Sequence, residues 1–231
     1  SLSRHGGGES VASGIHDSSP TLAVAAAIGE GIERYSLSVP IEKDLEFGSY
    51  RGQELKLSPN KFSVGNYSYS GGKIYWSKTK NLKNGKEKKI PSHLIYVPFS
   101  NRKETIRNPI TNGAACHVSK EDCLLRCLLE LSEREAFIYN YLYMVDGKSI
   151  SKSVWPEEVL DGVNKLKKYK FDIRFLYLKT DLKCHVALCI LHDTKTDLYE
   201  FGSCASLSIS KSINKSFAES FLSHGWHRKI S

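Results

Sequence analysis

The chain has 231 residues and a net charge of +8, with 40% hydrophobic and 10% aromatic residues. This excludes a disordered or fibrous chain and suits one large or two small domains with a buried core. The basic balance favours an anionic partner such as nucleotide, nucleic acid or acidic peptide, while no apolar run approaches the roughly 20 residues of a membrane span and no secretory signal is visible, so a cytoplasmic protein is expected.

Residues 1–19 are rich in Gly and Ser (Gly6-Gly7-Gly8, Ser18-Ser19) and predict a loop; the Walker phosphate-binding pattern is absent. Ser19 followed by Pro20 predicts a helix start, with Ser as N-cap and Pro in the first turn. The helix should run to about Ser38 and stop before Pro40. One face carries Ala23, Ala26, Ala27, Glu30, Glu33 and Arg34; the opposite face, with Val24, Ile28, Ile32 and Tyr35, is the expected core side. Residues 41–92 predict hairpins or edge strands, among them Lys73-Ile74-Tyr75-Trp76. Lys78, Lys80, Lys83, Lys86, Lys88 and Lys89 flank an Asn84-Gly85 turn signal, so this run is expected at an exposed hairpin tip. It reads first as a solvated loop, with contact to an acidic peptide or nucleic acid as the alternative. His93-Leu94-Ile95-Tyr96-Val97-Pro98 predicts a strand.

Ser119-x-x-Asp122 resembles a capping box and opens a second helix reaching about Tyr141. One face of it holds Asp122, Cys123, Arg126, Cys127, Glu130, Glu133, Arg134 and Phe137, and the expected apolar back is Leu124, Leu125, Leu128, Leu129 and Leu131. A third helix is predicted over 156–169, strands over 172–178, 184–191 and 198–202, and a last helix from about Ile213 to His224 that carries Glu219. The apolar run Cys184–Leu191 predicts a central strand. The pattern is α+β, read as a single domain over 1–231. The six cysteines are too sparse for a disulfide scaffold. Cys123, Cys127 and His117 could approach a zinc ion, but no C-x-x-C pair completes such a site.

The feature that organises these elements is Glu30-x-x-Glu33-Arg34 and its return as Glu130-x-x-Glu133-Arg134. Positions i, i+3 and i+4 share a helix face, so each copy sets two carboxylates beside a guanidinium. One copy alone reads as the solvated face of an amphipathic helix. Two copies, with Asp122 two turns before Glu130, suggest a shared anionic site that holds divalent metal and phosphate.

With their flanks, these motifs resemble the YcaO superfamily. Ser13-Gly14 and Ala27-x-x-Glu30-x-x-Glu33-Arg34-Tyr35-Ser36 are similar to its first ATP-binding helix. Thr111-Asn112-Gly113-Ala114-Ala115 followed by Glu130 to Ala136 is similar to its second. Leu94 to Phe99 resembles the strand between them, and Gly202-Ser203-Cys204-Ala205 with Ala218-Glu219 resembles its later ATP-site segment. The chain departs from the family at Ala26 and Ala115, where Ser is frequent, at Asp122 in place of Glu, and at Leu222 in place of Gln. It ends in Lys229-Ile230-Ser231 rather than in a proline-rich tail.

The resemblance implies a YcaO-like α+β fold and an enzyme that uses ATP and Mg²⁺ to activate backbone amides of a ribosomally made precursor peptide. A nucleophile adds to the carbonyl, the amide oxygen is phosphorylated, and loss of phosphate gives an azoline, a thioamide or an amidine. It implies Glu30, Glu33, Arg34, Glu130, Glu133, Arg134 and Glu219 as ATP-binding residues, and Glu30, Glu33, Asp122, Glu130 and Glu133 as metal ligands. Azoline formation by a cyclodehydratase is the first reading and thioamide formation the second. No segment is left over for leader-peptide binding, so a leader-binding or activating-enzyme-like partner protein is expected, and a homodimer is a further expectation. The rivals are a catalytically degraded ATP- or partner-binding subunit, and a basic nucleic-acid-binding protein.

Overall fold

The computed structural model describes residues 12–14, 19–65, 68–99 and 106–230. The Gly6-Gly7-Gly8 stretch, Ser18 and Ser231 lie outside them. The elements are α1 (Pro20–Ser38), β1 (Leu45–Gly48), β2 (Ile74–Lys80), β3 (Glu87–Pro91), α2 (Lys120–Leu142), β4 (Lys148–Ser149), α3 (Glu157–Lys167), β5 (Phe171–Leu178), β6 (His185–Asp193), β7 (Leu198–Ser206) and α4 (Ile209–Ile230). They form two compact units, Ser1–Ala12 with Ile28–Cys116 and Ser13–Ala27 with His117–Ser231. All the strand pairs are antiparallel, which gives the α+β class.

The first unit holds the sheet β1-β2-β3. Alternation along β2 buries Ile74 and Trp76, which pack with Ile106, Tyr50, Phe62 and Tyr69. The Trp76 indole N–H donates to the Gly48 carbonyl at 2.8 Å. Lys56 lies over the Trp76 ring, 4.8 Å from its centroid, and its ammonium meets Glu46 at 2.7 Å. Lys89 reaches the other Glu46 oxygen at 2.5 Å. Hydrogen bonds from the two lysines, together with their charge, pull the Glu46 carboxyl down to about 2. The residues expected as a strand from His93 to Pro98 do not form one. The Ser92 carbonyl accepts from both Ile95 N–H and Tyr96 N–H, so the chain winds into a 3₁₀ turn between Pro91 and Pro98.

The second unit holds the sheet β4-β5-β6-β7. Ile173 and Phe175 of β5, with Ala187, Cys189 and Leu191 of β6, pack against Trp155, Val159 and Val163 and against Ile213 of α4. Val186, Leu188 and Ala205, on the other face, pack against Ala136 of α2. Covering both faces explains why β6 reads as a continuous apolar run, and it is a central strand as expected. Helix α4 approaches β7 through small residues. Ser212, Ser216 and Ser220, one turn apart, are all fully buried. The Ser212 hydroxyl donates to the Cys204 carbonyl and accepts from the Ala187 N–H. A Cβ on Gly202 would collide with the backbone at Ser216 and Ser220.

Two helix faces are the reverse of expectation. On α1, Val24, Ile28, Ile32 and Tyr35 are exposed rather than core-facing. The packed side is that of Ala23 and Ala27, against which Gly14 lies so close that a side chain there would clash. On α2, Leu125, Leu128 and Leu131 are exposed, whereas Ser132, Glu133, Ala136 and Asn140 are buried. In both helices small side chains allow close backbone approach, and that outweighs aliphatic bulk in choosing the packed face.

Gly202→Ala should therefore destabilise the protein by about 3 kcal/mol, since α4 must shift away from β7. Denaturant unfolding checks this, and stability equal to that of the parent would disprove the close approach.

Candidate functional site

Strand β7 is an outer strand, so its outward N–H groups lack a ladder partner. At Ser203 and Ala205, two residues apart on one side of the strand, carboxylates fill that role. The Ala205 N–H donates to Glu133 Oε2 at 3.2 Å. The Ser203 hydroxyl donates to Glu133 Oε1 at 2.7 Å, and the Ser203 backbone N–H donates to Glu219. Glu133 comes from α2 and Glu219 from α4, so helices on opposite faces of the sheet bring their acids to one edge.

Glu133 is 7% exposed. Its burial raises the carboxyl, the Glu130 charge adds to this, and the Ser203 hydroxyl and Arg134 oppose it. Arg134 Nη1 lies 3.6 Å from Glu133 Oε1. Glu219 is pushed up to about 7, first by burial and then by the Glu133 charge, against the pull of Arg134, Lys215 and the Ser203 N–H. The Cys204 thiol in the same environment rises to about 12 through burial and the nearby carboxylates, which makes it a poor nucleophile.

Glu133, which is buried, and Glu219, whose carboxyl the Glu133 charge helps to raise, stand with Arg and Lys beside them, and their oxygens are hard donors. Among the described residues no three His, Cys, Asp or Glu side chains converge as a metal cage. This fits Mg²⁺, which is commonly held by one or two carboxylates with waters and substrate phosphates completing its shell.

The structure thus gathers Glu130, Glu133, Arg134 and Glu219 in the second unit. Asp122 stands apart at the start of α2, eight residues or roughly 12 Å along the axis from Glu130. It serves the predicted capping box: its N–H donates to the Ser119 hydroxyl at 3.1 Å, and its carboxylate accepts from that hydroxyl at 2.6 Å and lies 3.3 Å from His117. In the first unit, Arg34 donates to Glu30 through Nε at 3.0 Å and Nη2 at 2.6 Å. Glu33 lies on the same turn and is half-buried. Sequence reasoning missed Lys215 and the β7 N–H groups. Lys215 was findable as the i−4 neighbour of Glu219; the N–H groups carry no side-chain signal.

The fold and this edge define an α+β protein that brings acids from two helices to one outer strand. The chain belongs to the YcaO family: the family described as "YcaO cyclodehydratase, ATP-ad Mg2+-binding" matches residues 17–229. Among solved structures it resembles a heterocyclase in complex with substrate and cofactor, with 15% identity and a TM-score of 0.81 over 94% of this chain and 32% of that one. It resembles YcaO from Methanopyrus kandleri bound with AMPPCP and Mg²⁺, with 16% identity and a TM-score of 0.73 over 91% of this chain and 53% of that one. The heterocyclase TruD aligns with 18% identity and a TM-score of 0.75 over 90% and 34%. The chain thus spans between a third and about half of these structures' length, and they establish likeness of fold. No curated protein matches the sequence. Among the described residues no helix is long and apolar enough to cross a membrane.

The Glu219 shift predicts a pH dependence. An acid whose folded pKa is raised contributes stability that is full below its unfolded value of about 4.5 and is lost as pH rises towards 7. Glu219→Gln should remove this loss and gain on the parent across that window, by less than the full shift implies because Glu219 is exposed and solvent screens its charge. Melting curves in metal-free buffer measure it; a difference that is flat with pH would refute the raised carboxyl.

Proposed function

We propose that this chain is an ATP- and Mg²⁺-dependent enzyme of the YcaO type that activates backbone amides of a ribosomally made precursor peptide and forms azolines. The observation that carries this reading is the meeting of Glu133, which is buried, and Glu219 on the β7 edge, with Arg134 and Lys215 beside them, in a chain of this family. In this reading Glu30, Glu33, Arg34, Glu130, Glu133, Arg134 and Glu219 bind the nucleotide, and Glu30, Glu33, Asp122, Glu130 and Glu133 serve Mg²⁺. ATP supplies the phosphoryl group that turns the amide oxygen into a leaving group. The residues' own part is electrostatic: carboxylates fix the cation, and guanidinium groups orient the carboxylates and balance phosphate charge.

Residues 1–231 are read as one functional domain of a cytoplasmic enzyme. It works with a partner protein that recognises the precursor's leader, and it forms a homodimer. The heterocyclase bound to substrate and cofactor and the M. kandleri protein bound to AMPPCP and Mg²⁺ support the substrate and nucleotide classes by likeness of fold.

Glu130→Gln tests the reading. Glu130 adds charge beside Glu133 and raises its carboxyl, so without it the fold should persist and metal-free stability should hold or rise. Peptide-dependent phosphate release should fall at least about 100-fold. A folded variant with undiminished turnover would overturn the assignment, and an unfolded one would give the acid a structural role.

A further inference from the structure

The lysine run of the first unit separates into two groups. Lys89 is engaged with Glu46 at 2.5 Å, and the Lys88 ammonium donates to the Glu54 carbonyl at 2.8 Å. Both are half-buried, so they are not part of the exposed tip that the sequence predicts. Lys78, Lys80, Lys83 and Lys86 are exposed, and among the described residues their ammonium groups have no partner. Glu87 is the one acid between Lys78 and Lys89.

The scaffold beneath these four charges is fixed. Lys80 pairs with Glu87 across the β2–β3 ladder, and Asn81 N–H donates to the Lys86 carbonyl at 2.9 Å. The Gly85 N–H donates to the Asn81 carbonyl at 2.8 Å, and Gly85 takes a φ of 70°, which glycine adopts without strain. Asn81 and Asn84 side chains accept from the Lys83 and Lys86 N–H groups at 2.8 and 3.0 Å. A turn tied at four points holds the backbone that carries these lysines, so less backbone ordering entropy is lost on binding.

We propose that this hairpin tip docks an acidic segment of the peptide that the enzyme modifies, an inference that rests on the function proposed above. Lys78 and Lys80 stand two residues apart on one strand face, roughly 7 Å, the spacing of alternate carboxylates in an extended peptide. Leu82, 66% exposed among the lysines, offers an apolar contact for such a peptide. The tip suits nucleic acid less well. No aromatic side chain and no arginine occurs from Ser77 to Ile90, so base stacking and bidentate phosphate contacts are both missing.

The test uses a fluorescein-labelled peptide of alternating glutamate and serine with one central leucine, followed by anisotropy at low and physiological salt. Replacing Lys78, Lys80, Lys83 and Lys86 together with Ser should weaken binding about tenfold and flatten its salt dependence, while four Arg replacements should retain it. The pair Lys83→Glu and Lys86→Glu, confined to the turn, should weaken binding in the same direction. Equal affinity of the Ser variant and the parent, or tighter binding of oligodeoxythymidylate than of the peptide, would overturn the proposal. AMPPCP–Mg²⁺ affinity, measured on the same proteins, should not change with the tip. Failure of the parent to bind nucleotide would count against the proposed function, whereas peptide binding is read independently of it.

Discussion

Two backbone N–H groups on the outer edge of β7 set the geometry of the site. An edge strand leaves its outward donors unpaired, and such donors must find acceptors or water. Here they find Glu133 and Glu219. The strand thereby fixes two acids that are 86 positions apart in the chain (219 minus 133) beside one another. Their repulsion is tolerated because each accepts from β7 and because Arg134 and Lys215 stand close.

The rest of the second unit maintains that arrangement. Ala136 lets α2 settle on the sheet one turn after Glu133. Gly202 and the buried serines of α4 let that helix press onto β7 one residue before Ser203. Bulk at either contact would lift a helix and withdraw its acid from the edge. The small residues of the core therefore hold the two acids at the β7 edge through packing.

The fold was legible where one rule governed a segment. Ser19-Pro20 and Pro40 bracket α1, Ser119 and Asp122 cap α2, and the apolar run of β6 marks a strand covered on both faces. Burial was not legible from amphipathicity. The alanine face of α1 and the Ser132, Glu133 and Ala136 face of α2 are the packed ones, because close backbone approach is a property of pairs of elements and not of one helix. The Leu94 to Phe99 stretch carries β-forming residues but lies between prolines, and a local turn takes its hydrogen bonds. In the site, the Glu-x-x-Glu-Arg repeat pointed to Glu133 and the family resemblance to Glu219, whereas their relation to the β7 N–H groups depends on a tertiary contact that the sequence does not encode locally.

The raised Glu219 carboxyl also bears on proton exchange at this edge. Pushed up to about 7 by desolvation and the Glu133 charge, it holds a fraction of a proton near neutrality. Under the proposed function, a dication held by the neighbouring carboxylates would favour the ionised form of Glu219 and release that fraction into the solvent. Its apparent affinity then falls as the medium becomes more acidic, and the heat of occupation contains the ionisation enthalpy of whatever buffer takes up the proton.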